Sequence, residues 1–357
     1  MSRALRALAA LGTSGFPWAA PDADAWEVSA RRAVLARWPL ALRPIAAVAM
    51  ALAWPPASLI AAWRLGRMCP PGFSHRAWRT ALWSSMPPAD FAAFQLWRPG
   101  TPRQGWRPGA DTARWLTRQT NPEVAGMLAD KSRATAWFAE IGLPHVPILS
   151  RPEPRDLVTK PPRGMAGRGI KIWTWADGVY RPRPGFGGAP GAPCPPDALA
   201  EEAHREGLLI QPAIPPHPEL GPAIARIVTR RRAGRAHLAD ALVQCPAEGD
   251  FCSHFGPYRL VEEGQIQPPG PGQESSIFDP PDAIAAEGAT LPGWAGLTKK
   301  LCAAHEALPP PVPLIGWDVI WSPDGPQVLE ANTGIGLTLF QADRLAPACY
   351  PELGDGT

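Results

Sequence analysis

The sequence predicts an α+β protein, with a helical N-terminal region followed by a module of short strands and helices. The first observation is size, because 357 residues with 45% hydrophobic content can fill two or three packed units. The second is the composition of residues 1–118, which are rich in alanine, leucine, tryptophan and arginine and carry no glycine-rich or acidic motif. The third is the change after residue 118 to short β-like runs that alternate with turns and helical segments. We therefore expect a helical region over 1–118 and an α+β catalytic module over 119–357.

The composition excludes some classes of protein. The formal net charge is +3 and the longest basic run is the three arginines 230–232, so the charge does not indicate a dedicated nucleic-acid binder, and we expect no nucleic-acid partner. The 47 prolines and 34 glycines are spread among apolar runs and 16 tryptophans, which favours a globular fold with proline-rich loops over disorder. The six cysteines form no C-x-x-C pair, which indicates reduced, mainly structural thiols.

One segment of the N-terminal region is long enough to cross a membrane. Residues 44–63 run for twenty positions without a charge. Pro55 and Pro56 divide the segment, and arginines flank it on both sides, so the charge bias that orients a membrane span is missing. We expect two short helices packed inside the helical region, with peripheral contact of 44–63 with a membrane surface as the alternative. Near the start of the chain Arg6 interrupts a short apolar run, so we expect no export signal and a cytoplasmic protein.

Cap and turn residues predict the first elements of the catalytic module. "DKSRATAWFAEIGLP" has the pattern of a helix that begins after the N-cap Asp130 and ends near Gly142. "DLVTK" and "GIKIWTW" are predicted strands on either side of a glycine-rich loop, and "ADG" turns the second strand into "VYRP". The Pro/Gly-rich stretch 181–197 predicts a mobile loop, and "GLLIQPAI" predicts a buried strand.

Two hairpins are predicted further along the chain. The first is "ARIVTRRRAGRAHLADALVQ", which turns at Ala233–Gly234 and should carry its arginines at a solvated tip. The second is "LIGWDVIWSPDGPQVLEANT", which turns at "SPDG".

The loop between "DLVTK" and "GIKIW" has the residues of an anion site. Its glycines let backbone amides approach an anion, Lys160 on the preceding strand supplies a positive charge, and Arg163 and Arg168 can add to it. The spacing fits neither the Walker loop nor the dinucleotide fingerprint, because a strand follows. Phosphate binding and a plain tight turn both remain open on these residues alone. The three glycines are Gly164, Gly167 and Gly169.

Three oxygen-bearing side chains are predicted to meet on the second hairpin. Glu330 and Asn332 are two residues apart on one strand and so face the same side, and the turn brings Asp318 opposite them. Hard oxygen ligands of this kind suit Mg²⁺, which also bridges to nucleotide phosphates. The alternative is a solvated hairpin face, but the apolar flanks predict burial, and buried carboxylates require a cation.

The order of these motifs resembles the ATP-grasp enzymes, and in particular their sugar-transfer-associated branch. The resemblance covers residues 125–340 and rests on "LADKSRATAWFAEIGLP", "VTKPPRGMAGRGIKIW", "LLIQPAIPPHPEL", "IARIVTRR" and "LIGWDVIWSPDGPQVLEAN". It implies the ATP-grasp fold, in which two α+β lobes clamp ATP.

The resemblance also implies a role for each site residue. Lys131 and Lys160 look like the two lysines that contact the α and β phosphates, and Arg226 looks like the arginine near the γ-phosphate. The loop 164–169 looks like the flap over the triphosphate, and Ile210–Gln211 like the hinge that binds adenine. His217 and Glu219 are candidates for ribose contacts, with ordinary surface residues as the alternative. Asp318, Glu330 and Asn332 look like the Mg²⁺ ligands.

The family resemblance implies an ATP-dependent carboxylate ligase that works through an acyl phosphate and decorates a cell-surface sugar or peptide. The expected partners are a carboxylate and an amine, hydroxyl or thiol nucleophile. Two alternatives remain: a kinase that phosphorylates an alcohol at the same ATP site, and a nucleotide-binding scaffold without turnover. The chain departs from the family where Ser253 and His254 stand at the place of an expected asparagine, so the acceptor side of the site is not defined by the sequence.

Overall fold

The computed structural model describes residues 34–36, 38–67, 69, 71–84, 86–98, 105–164, 169–183, 192–244, 258–270 and 287–344. These residues belong to two compact units. The first unit comprises the described parts of 1–118, 269–280 and 334–357, and the second comprises the described parts of 119–268 and 281–333. The α+β class is confirmed, because the structure combines helices with antiparallel sheets, and a helical N-terminal region is present.

The first unit is built from helices. After a 3-10 turn at Leu40–Leu42 it contains α1 (Arg43–Gly66), α2 (Phe73–Ser84), α3 (Pro88–Ala93) and α4 (Gly109–Gln119), and the chain returns to it with α9 (Thr338–Arg344). The predicted breaks at "CPPG" and "MPPAD" separate α1 from α2 and α2 from α3. Its core is aromatic: the ring of Phe73 meets the edge of Phe91 at 5.5 Å, and Phe94 stacks on Trp106 at 4.6 Å.

The expected break at Pro55 and Pro56 is wrong, because α1 continues through both prolines as one helix of 24 residues. A proline removes one backbone donor and crowds the preceding turn, which usually ends or bends a helix. In α1 two neighbouring side chains donate hydrogen bonds to the backbone at Pro55. The indole Nε1 of Trp78 donates to the Pro55 carbonyl at 3.1 Å, and the Ser58 hydroxyl donates to the same carbonyl at 3.0 Å. Packing against α2 therefore outweighs the local cost.

The second unit begins with two short helices and a four-stranded sheet. The helices are α5 (Pro122–Leu128) and α6 (Lys131–Glu140). The Asp130 carboxylate accepts from the backbone N–H groups of Ser132 and Arg133, which confirms it as the N-cap of α6. The sheet is antiparallel in the order β3-β2-β1-β4. Its strands are β1 (Leu157–Lys160), β2 (Lys171–Ala176), β3 (Val179–Pro182) and β4 (Leu209–Pro212), with α7 (Pro196–Glu206) before β4.

The predicted turns of this sheet are confirmed. Asp177 and Gly178 both have positive φ angles, of 53° and 77°, and join β2 to β3. The chain then enters the Pro/Gly-rich stretch, of which 184–191 lie outside the described residues. The backbone of Cys194 pairs with Tyr180 through two hydrogen bonds of 2.8 Å, so the stretch rejoins the sheet just before α7.

A six-stranded antiparallel sheet forms the rest of the second unit. Its order is β10-β9-β5-β6-β7-β8. Both predicted hairpins are present in it, turning at 233–234 and at 322–325. The elements that the sequence did not indicate are β7, β8 and α8. The strands of this sheet are β5 (Ile224–Arg232), β6 (Arg235–Gln244), β7 (Tyr258–Glu262), β8 (Gln265–Ile266), β9 (Leu314–Ser322) and β10 (Gly325–Asn332). Helix α8 (Trp294–Ala307) precedes β9.

The main hydrophobic core lies on one side of this sheet. Trp317 and Trp321 of β9 are fully buried in it, and Phe138 of α6 lies 6.3 Å from the ring of Trp317. Leu297 and Leu301 of α8 complete the cluster. Because side chains alternate along a strand, the residues between the core positions face the other side, and the candidate site lies there.

The hairpin tip between β5 and β6 differs from expectation at Arg231. Arg231 is half-buried, and its guanidinium donates to the carbonyls of Leu308 at 2.8 Å and Glu306 at 3.0 Å. It therefore caps the C-terminal end of α8, where free carbonyls and the helix dipole favour a cation. The sequence could not indicate this contact because α8 lies more than seventy residues away.

Candidate functional site

Three charged side chains form a row across β10, β9 and β5, the three strands at one edge of the six-stranded sheet. Asp318 of β9 pairs in register with Arg226 of β5 on one side and with Glu330 of β10 on the other. Their neighbours Ile227, Trp317 and Ala331 are core residues. Because paired residues in a sheet face the same side, the three charges share the face opposite the core.

The pairing of Glu330 with Asp318 depends on a β-bulge. The register of β10 against β9 shifts between Val328 and Glu330. Val328 pairs with Val319 in the core, and without the extra residue Glu330 would face the same side as Val328. The bulge therefore turns the carboxylate out of the core and toward Asp318.

Arg226 and Asp318 form a two-pronged ion pair. The Arg226 Nη2 donates to Asp318 Oδ2 at 2.9 Å, and its Nε donates to Oδ1. The two side chains are therefore joined by two parallel charge-assisted hydrogen bonds. Burial would lower the pKa of Arg226, but the Asp318 carboxylate raises it, so the guanidinium stays charged.

The two carboxyl groups of the row differ in their protonation. Burial and the adjacent Glu330 raise the pKa of Asp318 to about 7, against the opposing effect of Arg226. Burial would also raise the pKa of Glu330, but a hydrogen bond from Asp318 and the charges of Lys131 and Lys160 lower it to about 2. Two buried carboxyl groups in contact cannot both ionise easily, so the pair favours one shared proton or a bound cation.

Lys131 links the row to the glycine loop. Its Nζ lies 3.5 Å from Glu330 Oε2 and donates to the Gly164 carbonyl at 2.9 Å. Its backbone N–H donates to the Pro162 carbonyl at 2.8 Å, so the N-terminus of α6 lies against the start of the loop. The Asn332 side chain donates to the other oxygen of Glu330 at 3.2 Å.

Lys160 lies at the end of β1 and is only 7% exposed. Burial lowers the pKa of its ammonium to about 8, with Lys131 acting in the same direction, while Glu330 and Asp318 oppose the shift. No hydrogen bond joins its Nζ to another residue in the described part of the chain. A buried ammonium without a bonded partner is a costly arrangement, and an anionic ligand would relieve that cost.

The described glycines of the loop have unusual backbone angles. Gly169 has φ +77°, and a Cβ there would lie 3.3 Å from Cδ of Pro161. Gly164 has φ 150°. Glycine is thus required at 169 for the chain to turn back into β2. Gly167 and Arg168 lie outside the described residues, as do Ser253 and His254.

The expected adenine contacts lie in the four-stranded sheet. Ile210 and Gln211 lie on β4 beside β1, in register with Thr159 and Val158. The Gln211 amide donates to the Val146 carbonyl at 2.8 Å, and the Ile210 carbonyl accepts from Leu149 at 2.8 Å. These groups hold the segment 146–149 against the sheet.

Two further contacts bear on the sequence predictions. His217, a candidate for a ribose contact, accepts at Nδ1 from the backbone N–H of Glu219 at 3.2 Å and so stabilises its own turn. Asp130 has a second contact that the sequence did not indicate, because its Oδ2 accepts from Arg163 Nε at 3.2 Å. That contact ties the glycine loop to the cap of α6, and the 33 residues between the partners leave no local signal for it.

Several groups around the row can hold a cation or an anion. Asp318, Glu330 and the Asn332 amide offer hard oxygen donors, the kind that Mg²⁺ prefers. Among the described residues no group of three or more histidine, cysteine, aspartate or glutamate side chains could hold a metal, so a metal would depend on the amide as its third protein ligand. Lys131, Lys160 and Arg226 bring three positive charges to the same place, which suits a polyphosphate.

No protein-family model matches the chain, and no curated protein matches it. Some solved structures are similar. An ATP-grasp superfamily protein from Archaeoglobus fulgidus is 11% identical with a TM-score of 0.35, over 68% of this chain and 57% of that chain. D-alanyl-alanine synthetase A from Vibrio cholerae is 15% identical with a TM-score of 0.38, over 63% of this chain and 62% of that one.

A third similar structure is N5-carboxyaminoimidazole synthetase from Staphylococcus aureus, solved with ADP. It is 8% identical with a TM-score of 0.41, over 69% of this chain and 58% of that one. The chain thus spans less than two thirds of the length of these three proteins. Scores this low do not establish a family or a shared activity.

Proposed function

We propose that this protein is an ATP-dependent ligase of the ATP-grasp superfamily, in the sugar-transfer-associated branch, which activates a carboxylate as an acyl phosphate. The observation that carries the proposal is the row Arg226–Asp318–Glu330 with Lys131 and Lys160 brought to it from other elements. The motifs that resemble the family contain these same residues. The proposal includes a cytoplasmic location, because the reaction consumes ATP.

The ligand set fits a magnesium ion. Asp318 and Glu330 are adjacent, half-buried carboxyl groups whose side chains keep 14% and 30% exposure, so an ion can reach them. Arg226 and Lys131 neutralise these carboxylates when no metal is bound, and would be available to phosphate oxygens once a metal takes their place. Asp318, Glu330 and Asn332 would hold the ion, which would supply positive charge to offset that of the nucleotide phosphates.

The positive side chains have separate tasks in the proposed reaction. Lys131 and Lys160 would bind the α and β phosphates, while Arg226 would neutralise charge at the γ-phosphate. The glycine loop, which Lys131 already contacts at Gly164, would cover the triphosphate and exclude water. Ile210 and Gln211 would lie at the adenine end of the same nucleotide.

The proposed chemistry has two steps. A substrate carboxylate oxygen attacks the γ-phosphorus of ATP, the bond from that phosphorus to the bridging oxygen breaks, and ADP leaves. An amine, hydroxyl or thiol then attacks the acyl carbon, inorganic phosphate leaves, and the nucleophile gives up its proton. The family resemblance suggests a sugar or peptide as one of the two substrates.

Hydroxylamine distinguishes the ligase from a kinase that uses the same ATP site. An acyl phosphate is electrophilic and reacts with hydroxylamine to give a hydroxamate, whereas a phosphate monoester does not. The full-length protein should form hydroxamates from pools of amino acids or sugar acids only when ATP and Mg²⁺ are both present. Lys160→Ala should lose this product, and the matched variant Lys299→Ala, which changes an exposed lysine of α8, should keep it.

Two outcomes would contradict the ligase. A pool that yields a stable phosphorylated product without hydroxamate would establish the kinase instead. Absence of any ATP-dependent product, together with normal binding of ATP in calorimetry, would favour the scaffold without turnover.

A further inference from the structure

Helix α1 has two apolar faces, and only one of them is packed. Residues spaced by four lie on the inner face and are buried against the rest of the first unit. The opposite face, here called the α1 outer face, is exposed: Leu52 has 72% of its surface accessible and Ile45 has 66%. The inner face consists of Ala46, Met50, Trp54, Ser58 and Ala62, and the α1 outer face consists of Ile45, Val48, Leu52, Leu59 and Trp63.

The exposure of this face needs an explanation. A surface helix of a soluble protein normally turns charged and polar side chains to water. Exposed apolar side chains that occur singly are ordinary, but a continuous stripe along about five turns marks a site of contact. The stripe is extended at its N-terminal end by Leu40 and Leu42, which are 76% and 45% exposed.

The charge around the helix indicates what covers the face. No aspartate or glutamate occurs from residue 28 to residue 89, and the same 62 positions contain eight arginines. Arg64 and Arg67 at the end of α1 are exposed, as are Arg76 and Arg79 of α2. An apolar stripe inside a segment that carries only positive charge is complementary to a lipid surface, with its apolar acyl chains and anionic headgroups.

Trp63 and Arg67 show how the end of the helix suits such a surface. The Arg67 guanidinium lies 4.0 Å from the centre of the Trp63 ring. An indole prefers the boundary between hydrocarbon and water, and a stacked arginine at that depth can reach lipid phosphates.

We propose that α1 lies in the surface of an anionic lipid bilayer, parallel to the membrane plane, with the α1 outer face among the acyl chains. This inference is independent of the proposed enzymatic activity. The length and composition of α1 alone would also allow a membrane span.

The contacts of the inner face argue against a span. The Trp54 indole donates to the Ala81 carbonyl at 2.8 Å, and the Trp78 indole donates to the Pro55 carbonyl at 3.1 Å, so α1 and α2 lie side by side. If α1 crossed the bilayer, α2 would be carried into it with the exposed charges of Arg76 and Arg79. A helix in the membrane plane keeps these charges in water.

Charge also argues against a second copy of the chain as the occupant. A symmetric dimer through the α1 outer face would place the same surface of both copies together. The arginines at the ends of that surface would then face each other without acidic partners within 28–89.

Vesicle flotation tests the proposal with the full-length protein, purified without detergent. The protein should float with vesicles of 70% phosphatidylcholine and 30% phosphatidylserine, and ~10-fold less with phosphatidylcholine alone. Raising the salt to about 0.5 M should weaken the binding, because it screens the arginines. The double variant Val48→Gln/Leu52→Gln should reduce partitioning ~10-fold or more.

A matched control changes exposed apolar residues elsewhere in the chain. Ile141 and Leu238 are 36% and 39% exposed and lie outside the first unit, so Ile141→Gln/Leu238→Gln should float like the unchanged protein. Equal loss in both double variants would overturn the proposal, as would no flotation with anionic vesicles. Resistance to carbonate extraction would establish a span instead. A dimer in light scattering that Val48→Gln/Leu52→Gln dissociates, without flotation, would establish a second copy as the occupant.

Discussion

The carboxyl groups of Asp318 and Glu330 lie side by side on neighbouring strands, and each is held by a different positive side chain. Arg226 binds Asp318, and Lys131 lies 3.5 Å from Glu330. The protein thus brings two acidic groups together, with two positive ones around them, on the face of the sheet away from its core. Removing these charges from water costs free energy of folding unless a bound ligand offsets it. The first two predictions test for that ligand.

Glu330→Gln should reduce magnesium-dependent ATP hydrolysis ~100-fold or more, because the change removes a charged oxygen ligand while leaving shape and packing nearly unchanged. The measurement is ADP release with saturating ATP, with circular dichroism as the check on folding. Glu262→Gln, at an exposed position of β7, is the matched control and should keep full activity. Unchanged turnover in a folded Glu330→Gln protein would remove Glu330 from the metal site.

Nucleotide binding should take up a proton at Lys160. Burial holds the pKa of this lysine at about 8, so above that pH a growing part of the free protein carries a neutral amine. Bound phosphates favour the charged form, so binding at alkaline pH should take up as much as about one proton per site. Calorimetry of ATP binding in buffers of different ionisation enthalpy measures this uptake.

Lys160→Arg should abolish the proton uptake, since a guanidinium stays charged at every accessible pH. Lys299→Arg should leave it unchanged, because Lys299 is exposed on α8. If Lys160→Arg and the unchanged protein take up equal numbers of protons, the phosphates do not bind near Lys160.

The glycine loop should be protected by nucleotide. Trypsin cleavage at Arg163 or Arg168 should slow several-fold when ATP and Mg²⁺ are added, because the loop is proposed to close over the triphosphate. Cleavage at Arg235, the first residue of β6 after the β5–β6 turn, serves as the internal control and should keep its rate. Equal rates at both places with saturating nucleotide would contradict a role as a flap.

Acid should destabilise the second unit through His305. This side chain is fully buried, and burial lowers its pKa from 6.5 to about 4. The unfolded chain therefore binds a proton before the folded one does, and the free energy of unfolding should fall as the pH drops from 6.5 toward 4, by up to about 3 kcal/mol. Urea unfolding between pH 7.5 and 4 measures this loss.

The neutral form of His305, which burial favours, satisfies every hydrogen bond around the ring. Trp317 Nε1 donates to the Thr229 hydroxyl at 2.9 Å, Thr229 donates to His305 Nδ1 at 2.9 Å, and His305 Nε2 donates to the Val312 carbonyl at 2.9 Å. His305→Gln should flatten the pH dependence in this window, and His204→Gln at an exposed position of α7 should not. An unchanged slope in His305→Gln would show that other groups cause the loss.

Local residues were enough to predict most of the second unit. Asp130 caps α6 because its side chain can reach the first free N–H groups of the helix, and that geometry is contained within four residues. The turn at Asp177–Gly178 was predicted for a similar reason, since both residues tolerate positive φ. Alternation along β10 placed Glu330 and Asn332 on one side, where they share a hydrogen bond.

Other features depend on contacts that are distant in sequence. Pro55 and Pro56 predict a break, but packing of α1 against α2 keeps the helix continuous. Arg231 was expected at a solvated tip and instead caps α8. In both cases the deciding partner lies 23 residues or more away, and no local pattern contains it.

The position of Asp318 shows most clearly what the sequence determines and what the tertiary structure determines. The sequence by itself determined that Asp318, Glu330 and Asn332 lie on one hairpin, because the turn residues and the alternating pattern are local. The sequence also predicted that the turn brings Asp318 opposite Glu330, but the local pattern does not produce this contact, since regular pairing from the turn would set Asp318 against Leu329. The tertiary structure decided this through the bulge after Val328, which keeps Val328 in the core and turns Glu330 to the other face. The physical reason is that the core fixes which residues of β10 must be buried, and one extra residue in the strand satisfies that packing and the pairing of the two carboxyl groups together.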